Sequence, residues 1–203
     1  MMRNAKRTDL TGLEAMALAQ GGYFDRNDAH AHGVMDALLT YHVRVGRFER
    51  TFPGVYRLRT APLSPRDEYL LAWVWTNYRG AISHESALAL YELSDIMPSQ
   101  IHVTVPRGFH RDSAPFRVHL SPLPPDEVQW YDGVLATKPA RSIIDSAAIG
   151  TDPEQIQKAV GEAIDRGLTT SNQLREMALR RHSNQHHRNI RELIEQALRH
   201  AAA

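Results

Sequence analysis

Histidine is the residue type whose number first suggests chemistry, since the 203-residue chain contains 11 histidines and no cysteine. His182, His186 and His187 lie close together, and two histidines four residues apart can share a metal ion on a helix. A solvated polar loop explains this run better, because its surroundings are polar throughout. His30 and His32 are two residues apart, so on a helix they point to different faces. We therefore predict no metal site.

Residues suited to catalysis do not form a recognisable pattern. His84-Glu85-Ser86 contains a possible base and nucleophile, but neighbouring helical residues diverge, and the serine is better explained by helix capping. Phosphate-binding glycine loops, the dinucleotide fingerprint and the Gly-x-Ser-x-Gly elbow do not occur in the sequence. The chain has few lysines, and the nuclease pattern of spaced acids followed by a lysine is not evident. We predict no catalytic residues and no cofactor. An enzyme using Asp132 or the His182–His187 cluster is the less favoured alternative.

Charge is distributed unevenly along the chain, although the formal net charge is only +1. Both ends carry an excess of arginine over acidic residues, and the middle is acidic. Such an arrangement indicates that any polyanion would bind at the ends of the chain.

The first sixty residues predict three short helices followed by a β-hairpin. Thr11-x-x-Glu14 has the capping-box pattern of a first helix, and Asp25 can cap a second. A third helix follows, on which Val34, Ala37, Leu38 and Tyr41 share an apolar face. Two strand patterns, 47–50 and 55–58, then flank a turn containing Pro53-Gly54. This order is that of a winged helix-turn-helix.

A winged helix-turn-helix can bind DNA through its third helix and its hairpin. The helix fits the major groove, where its polar face meets base edges, while basic residues of the wing reach phosphates. Winged helices also serve as protein-docking modules, but the arginines in and beside the wing favour DNA. The candidate DNA-binding residues are Asp36, Thr40 and Arg44 on the helix and Arg47, Arg50 and Arg57 on the wing.

Residues 61–203 predict a mixed α/β domain that ends in helices. Strand patterns occupy 101–105, 117–120 and the stretch that ends near 136, and amphipathic helices begin at Pro139, Asp152, Ser171 and Ile190. The overall prediction is an α+β protein with a winged helix at 1–60 and this second domain at 61–203. Apolar runs such as 69–74 are too short to span a bilayer. Because the N-terminus also lacks the apolar stretch of a secretory signal, we expect a cytoplasmic protein.

Four stretches of the sequence resemble the AbiEi family of antitoxins from type IV toxin–antitoxin systems. They span roughly residues 10 to 150, and their order and spacing carry the resemblance. The stretches are Gly46-Arg47-Phe48-Glu49-Arg50 through Gly54-Val55-Tyr56-Arg57-Leu58, Ser83-His84-Glu85-Ser86-Ala87-Leu88 with the residues to Leu93, Ile101-His102-Val103-Thr104-Val105-Pro106, and Thr137-Lys138-Pro139-Ala140-Arg141-Ser142-Ile143-Ile144-Asp145.

The resemblance implies a DNA-binding antitoxin that represses its own operon and counteracts a nucleotidyltransferase toxin encoded beside it. It places DNA binding in the winged domain, at the six residues named above, and antitoxin activity in the C-terminal domain. Direct contact with the toxin and indirect action both stay open, as does a stand-alone transcriptional regulator with no toxin. Arg141 and Asp145 match a family motif, and we interpret them as an i, i+4 pair on a helix surface.

Overall fold

A computed structural model describes residues 8–111, 115–181 and 188–201, and the chain divides into two units, Met1–Arg79 and Gly80–Ala203. Both units contain helices and a sheet, so the predicted α+β class is confirmed. None of the helices in the described parts of the chain has the length and apolar character that crossing a membrane requires. The predicted cluster at His182, His186 and His187 lies outside the described residues.

The first unit is a winged helix, as the sequence predicts, with one more helix after the wing. Its hairpin pairs with a short third strand, which the sequence did not reveal, to give an antiparallel sheet of order β1-β3-β2. The elements are α1 Leu10–Ala19, β1 Tyr23–Asp25, α2 Arg26–Ala31, α3 Asp36–Arg44, β2 Phe48–Phe52, β3 Val55–Leu58 and α4 Asp67–Trp75.

Helix capping sets the starts of α1 and α2. Asp9, rather than Thr11, caps α1, since its carboxylate accepts a hydrogen bond from the Gly12 amide at 2.9 Å. Asp25 caps α2 as predicted, and it forms a reciprocal capping box with Asp28. These caps fix short helices that would be marginal alone, and packing around Phe24 then holds them on the sheet.

The division between the units falls after α4, whereas the sequence placed it after residue 60. Helix α4 contacts β1 and β3, and Asp67 at its start pairs with Arg57 of the wing at 3.4 Å. Tyr78, which follows α4, donates a hydrogen bond to Asp28 and accepts one from Gln20 at 2.9 Å. These contacts join α4 to the winged helix, so the first unit extends to Arg79.

The second unit contains a mixed five-stranded sheet of order β6-β5-β4-β8-β7. Strand β4 lies at its centre, antiparallel to β5 and parallel to β8, while β5 and β6 are parallel and β7 and β8 form a hairpin. The elements are β4 Ala81–Ile82, α5 His84–Leu90, β5 His102–Val105, β6 Arg117–Leu120, a 3-10 turn Pro125–Glu127, β7 Val128–Tyr131, β8 Val134–Thr137, α6 Pro139–Ala148, α7 Pro153–Asp165, α8 Ser171–Arg181 and α9 Arg188–Ala201.

Most predicted elements of this unit are present, and the missed ones are short. The predicted strands at 101–105 and 117–120 are β5 and β6, and the helices from Pro139 onward are α6 to α9. Strand β4 has two residues, too few for an alternating pattern to register. Asp132 and Gly133 both have positive φ, which suits the two-residue turn between β7 and β8.

Candidate nucleic-acid interface

Helix α3 is rotated from the orientation that the sequence predicted. Leu39 and His42 are buried, and the His42 ring packs against Phe48 with ring centroids 5.0 Å apart. Ala37 and Tyr41, predicted to face the core, are exposed. The prediction was wrong because Val34 precedes the helix, so the apolar pattern counted from it describes the wrong face.

The exposed face of α3 carries groups that can contact bases. It presents Ala37, Thr40, Tyr41 and Arg44, and the Arg44 guanidinium lies 5.7 Å from the centre of the Tyr41 ring. The Thr40 hydroxyl donates to the Asp36 carbonyl at 2.9 Å, which fixes its rotamer. Threonine and arginine hydrogen-bond base edges, while alanine and aromatic surfaces contact the thymine methyl group.

Asp36 opens α3 and is held by two side chains of α2 that the sequence did not connect with it. Arg26 Nε donates to Asp36 Oδ1 at 2.7 Å, and His30 Nε2 lies 2.8 Å from the same oxygen. The Arg26 guanidinium lowers the pKa of Asp36 well below its usual range. Asp36 is therefore ionised, and its partner Arg26 offsets its charge at the start of α3. In the sequence, Arg26 is marked by its position in the first turn of the helix that precedes α3. Only the fold shows that it pairs with Asp36.

Arg50 of the wing lies on the same side of the sheet as the core that packs under α3. Side chains alternate along a strand, so Arg50 shares a sheet face with Phe48, which is fully buried against that core. Its partner across the hairpin is Tyr56. Arg50 is exposed and makes no ion pair with any residue that the structure describes. Its charge is thus available on the α3 side of the wing.

Arg47 has a carboxylate partner that the sequence analysis did not anticipate. Its Nε donates to Glu14 of α1 at 2.5 Å, and about half of its side chain is exposed. The Glu14 carboxylate raises the pKa of Arg47. Arg47 therefore contributes less positive field than Arg44 or Arg50, because Glu14 cancels much of its charge.

Arg57 requires a correction, because its guanidinium is inside the first unit. The side chain is 8 % exposed, pairs with Asp67, and donates to the carbonyls of Ala61 at 3.0 Å and Pro62 at 2.8 Å. It also lies over the Tyr23 ring at 5.5 Å. Helix α4 covers this face of the sheet, so Arg57 anchors the segment after the wing and does not face solvent.

Arg141 and Asp145 of the second unit also require a correction. They do form the predicted i, i+4 pair, with Arg141 Nε donating to Asp145 at 3.0 Å, but both are buried rather than on a helix surface. Arg141 also donates to Glu127 at 2.6 Å and to the Pro122 carbonyl at 2.8 Å. Arg181 completes the cluster at 2.8 Å from Asp145. Arg141 and Asp145 therefore belong to a buried ion-pair cluster that joins α6, α8 and the 3-10 turn.

Within the described parts of the chain, the side chains grouped closely enough to hold a metal ion are His84, His102 and His119, in the second unit. In the sequence, His84 is grouped only with its neighbours, and no local pattern connects it with the other two. The three residues are far apart in sequence: the pairing of β5 with β6 brings His102 and His119 together, and the start of α5 adds His84.

Comparisons with known proteins agree with the winged-helix assignment. Residues 13–59 match the family described as "Transcriptional regulator, AbiEi antitoxin". The crystal structure of the RV2827C protein from Mycobacterium tuberculosis is similar in fold, with a TM-score of 0.56 at 14% identity. That similarity covers 98% of this chain and 83% of the other. Curated protein sequences give no match.

The matched segment starts in α1 and ends just after β3, and so contains the whole helix-turn-helix and its wing. It includes α3 and Arg50, which form the candidate interface. The family is one of transcriptional regulators and antitoxins rather than of enzymes. The winged-helix module is therefore similar to the AbiEi family of antitoxin transcriptional regulators, in agreement with the sequence resemblance.

Proposed function

We propose that the protein is a DNA-binding antitoxin that represses its own operon. The observation that supports this most directly is the exposed face of α3, which carries Thr40, Tyr41 and Arg44. Arg50 of the wing adds an exposed charge that has no ion-pair partner among the described residues. The family match over the same module supports a regulatory role. A regulator of operator DNA would act in the cytoplasm.

In the proposed complex, α3 enters the major groove and the wing follows the adjacent backbone. Arg44 and Thr40 read base edges, and Tyr41 provides an apolar surface for thymine methyl groups. Arg50 contacts phosphate, which positions the module without selecting a sequence. Asp36 acts mainly by orienting Arg26 and His30 at the edge of this surface.

The experiment is fluorescence anisotropy of the full chain with the DNA upstream of its own gene, titrated in salt. A shuffled fragment of equal length and composition is the control. We expect tight binding to the upstream fragment alone, with a logarithmic salt slope of about −0.9 for each phosphate neutralised. Equal, weak binding to both fragments would contradict operator recognition and favour a protein-docking role for the module.

The second part of the proposal is that the protein counteracts a nucleotidyltransferase toxin. We expect a nucleotidyltransferase gene beside its own, whose expression arrests growth unless this protein is co-expressed. Co-expression of the Arg44→Ala variant should still rescue growth if the antitoxin activity resides in the second unit. Absence of such a neighbour, together with specific operator binding, would favour the stand-alone regulator. Failure of the wild-type chain to rescue growth from a neighbouring toxin would contradict the antitoxin role.

A further inference from the structure

The second unit contains three imidazoles that face one another at the edge of its sheet. Each of His84, His102 and His119 offers one ring nitrogen, and the three nitrogens lie within 4.8 Å of one another. The rings of His84 and His119 are stacked, with centroids 3.6 Å apart and an interplanar angle of 18°. The His102 ring lies 5.7 Å from His84 and 5.2 Å from His119.

Strand register explains why two of these side chains meet. Strands β5 and β6 are parallel, with His102 opposite Arg117 and Thr104 opposite His119. Residues two apart share a face of a strand, so His102 and His119 lie diagonally on one face of the sheet. His84 reaches them from the start of α5, where its positive φ of 52° is uncommon for a residue with a side chain.

Two ring nitrogens of the cluster are buried and have no hydrogen-bond partner in the structure. They are Nδ1 of His102, a residue that is 2% exposed, and Nε2 of His119. Buried polar atoms are nearly always paired, so two unpaired nitrogens in one cluster indicate a missing partner. Nδ1 of His84 lies 2.9 Å from Ser83 Oγ, which leaves its Nε2 for another ligand.

We propose that His84, His102 and His119 bind a zinc ion, with water as the fourth ligand. Neutral imidazole is a preferred zinc ligand, and three protein ligands with one open position are a common zinc arrangement. Tetrahedral coordination needs nitrogens about 3.3 Å apart, which small ring rotations within the 4.8 Å cluster can provide.

The surroundings suit this assignment. Thr104 Oγ1 donates to Ser83 Oγ at 2.8 Å, so the residue that orients His84 is itself held, as outer-shell partners of zinc histidines are.

Fixed charges near the cluster balance one another. The arginines near the cluster raise the local electrostatic potential, and an equal number of carboxylates lowers it. Two of these carboxylates form ion pairs with two of the arginines. The charged groups concerned are Arg117, Arg141, Arg181, Glu85, Glu127 and Asp145. A zinc ion bound here would therefore join β6, the edge strand, to β5 and α5 without strong repulsion from its surroundings.

The test is zinc binding to the full chain without an affinity tag, measured by competition with a chromophoric chelator. The His182–His187 cluster is removed first, by alanine at His182, His186 and His187, so that it cannot supply the signal. We expect one equivalent of zinc to bind, and cobalt(II) in its place to give the intense visible bands of a tetrahedral site. Magnesium, which prefers oxygen ligands, should not compete.

Two variants test the assignment of ligands, and one serves as a matched control. His119→Ala, at a half-buried position, should weaken zinc binding about 100-fold or more, since loss of an outer-shell partner alone typically costs 10- to 100-fold. Ser83→Ala should weaken it within that smaller range. His110→Ala, an exposed histidine in the same unit, should leave it unchanged.

Three results would overturn the proposal. The first is no stoichiometric zinc binding by the starting protein, a result that does not depend on whether any variant folds. The second is an octahedral cobalt spectrum. The third is equal zinc affinity in the His119→Ala variant and the His110→Ala control, which would place any bound metal elsewhere.

Discussion

At the scale of single residues, Arg50 and Arg57 have opposite surroundings although they lie on adjacent strands of one hairpin. Arg50 is exposed on the sheet face that carries α3, while Arg57 is buried under α4 and pairs with Asp67. The same residue type therefore offers an exposed positive charge to a polyanion at one position and stabilises the fold at the other. Residue type alone does not separate the two roles.

Replacing each arginine should separate these roles. We expect Arg50→Ala to weaken binding to all DNA sequences and to reduce the salt slope by roughly one unit, because one phosphate contact is lost. Arg57→Ala should instead lower the free energy of unfolding by about 3 kcal/mol, since it removes the ion-pair partner of the largely buried Asp67 carboxylate. Anisotropy in salt and urea unfolding measure the two quantities. An unchanged salt slope for Arg50→Ala would remove the wing from the interface.

Arg141 gives a second prediction at this scale. Its side chain is fully buried and binds both Glu127 and Asp145, so Arg141→Met removes one of the two arginines that balance these two carboxylates. We expect a loss of about 3 to 5 kcal/mol in the free energy of unfolding. Arg175→Ala, which breaks the exposed pair with Glu195, is the matched control and should have little effect. Similar stability of the two variants would contradict a structural role for the Arg141 motif.

At the scale of elements, α3 combines a buried stripe with an exposed face. Leu39 and His42 fix its rotation, and that rotation determines which of its side chains are exposed. Tyr41 thereby becomes part of the exposed face, in contact with Arg44.

The face of α3 can be tested through sequence preference. We expect Arg44→Ala to change the base preference at one operator position by about 1 to 3 kcal/mol, because a base-edge contact is lost. Binding to a panel of operators with single base substitutions measures this. Arg47→Ala is a suitable control, since Glu14 already offsets its charge. A uniform loss of affinity across the panel for Arg44→Ala would contradict insertion of α3 in the major groove.

The sequence was sufficient for the order of elements in the first unit but not for Arg57. Hydrophobic alternation predicts one buried and one exposed face for a hairpin strand, and every residue of β3 is buried. The second face of β3 is covered by α4, a helix that lies within the second domain predicted from the sequence, residues 61–203. Similarly, His84, His102 and His119 lie in separate local patterns, and only the fold, through the pairing of β5 with β6 and the position of α5, places them together.

At the scale of the whole molecule, the chain consists of a winged-helix unit and a larger unit that the family match does not extend into. The first unit has its own core around Phe24 and Phe48, whose rings meet edge to face with centroids 5.0 Å apart. A unit with its own core can in principle fold by itself.

We therefore expect residues 1–79 to unfold cooperatively as an isolated fragment and to bind the same operator. A fragment of residues 1–60 should be markedly less stable, because it lacks Asp67 as the partner of Arg57 and Tyr78 as the partner of Asp28. Thermal unfolding followed by circular dichroism compares the two fragments. Equal midpoints would show that α4 contributes nothing to the first unit and that the boundary lies after residue 60.

The buried ion-pair cluster also limits how the second unit can be recombined with relatives. Glu127, Arg141, Asp145 and Arg181 come from three separate segments, and within the described residues their charges balance one another. A chimera that exchanged α8 alone would remove Arg181 and leave an excess of buried negative charge. Exchange of segments with proteins of similar fold should therefore succeed only for blocks that carry the 3-10 turn, α6 and α8 together.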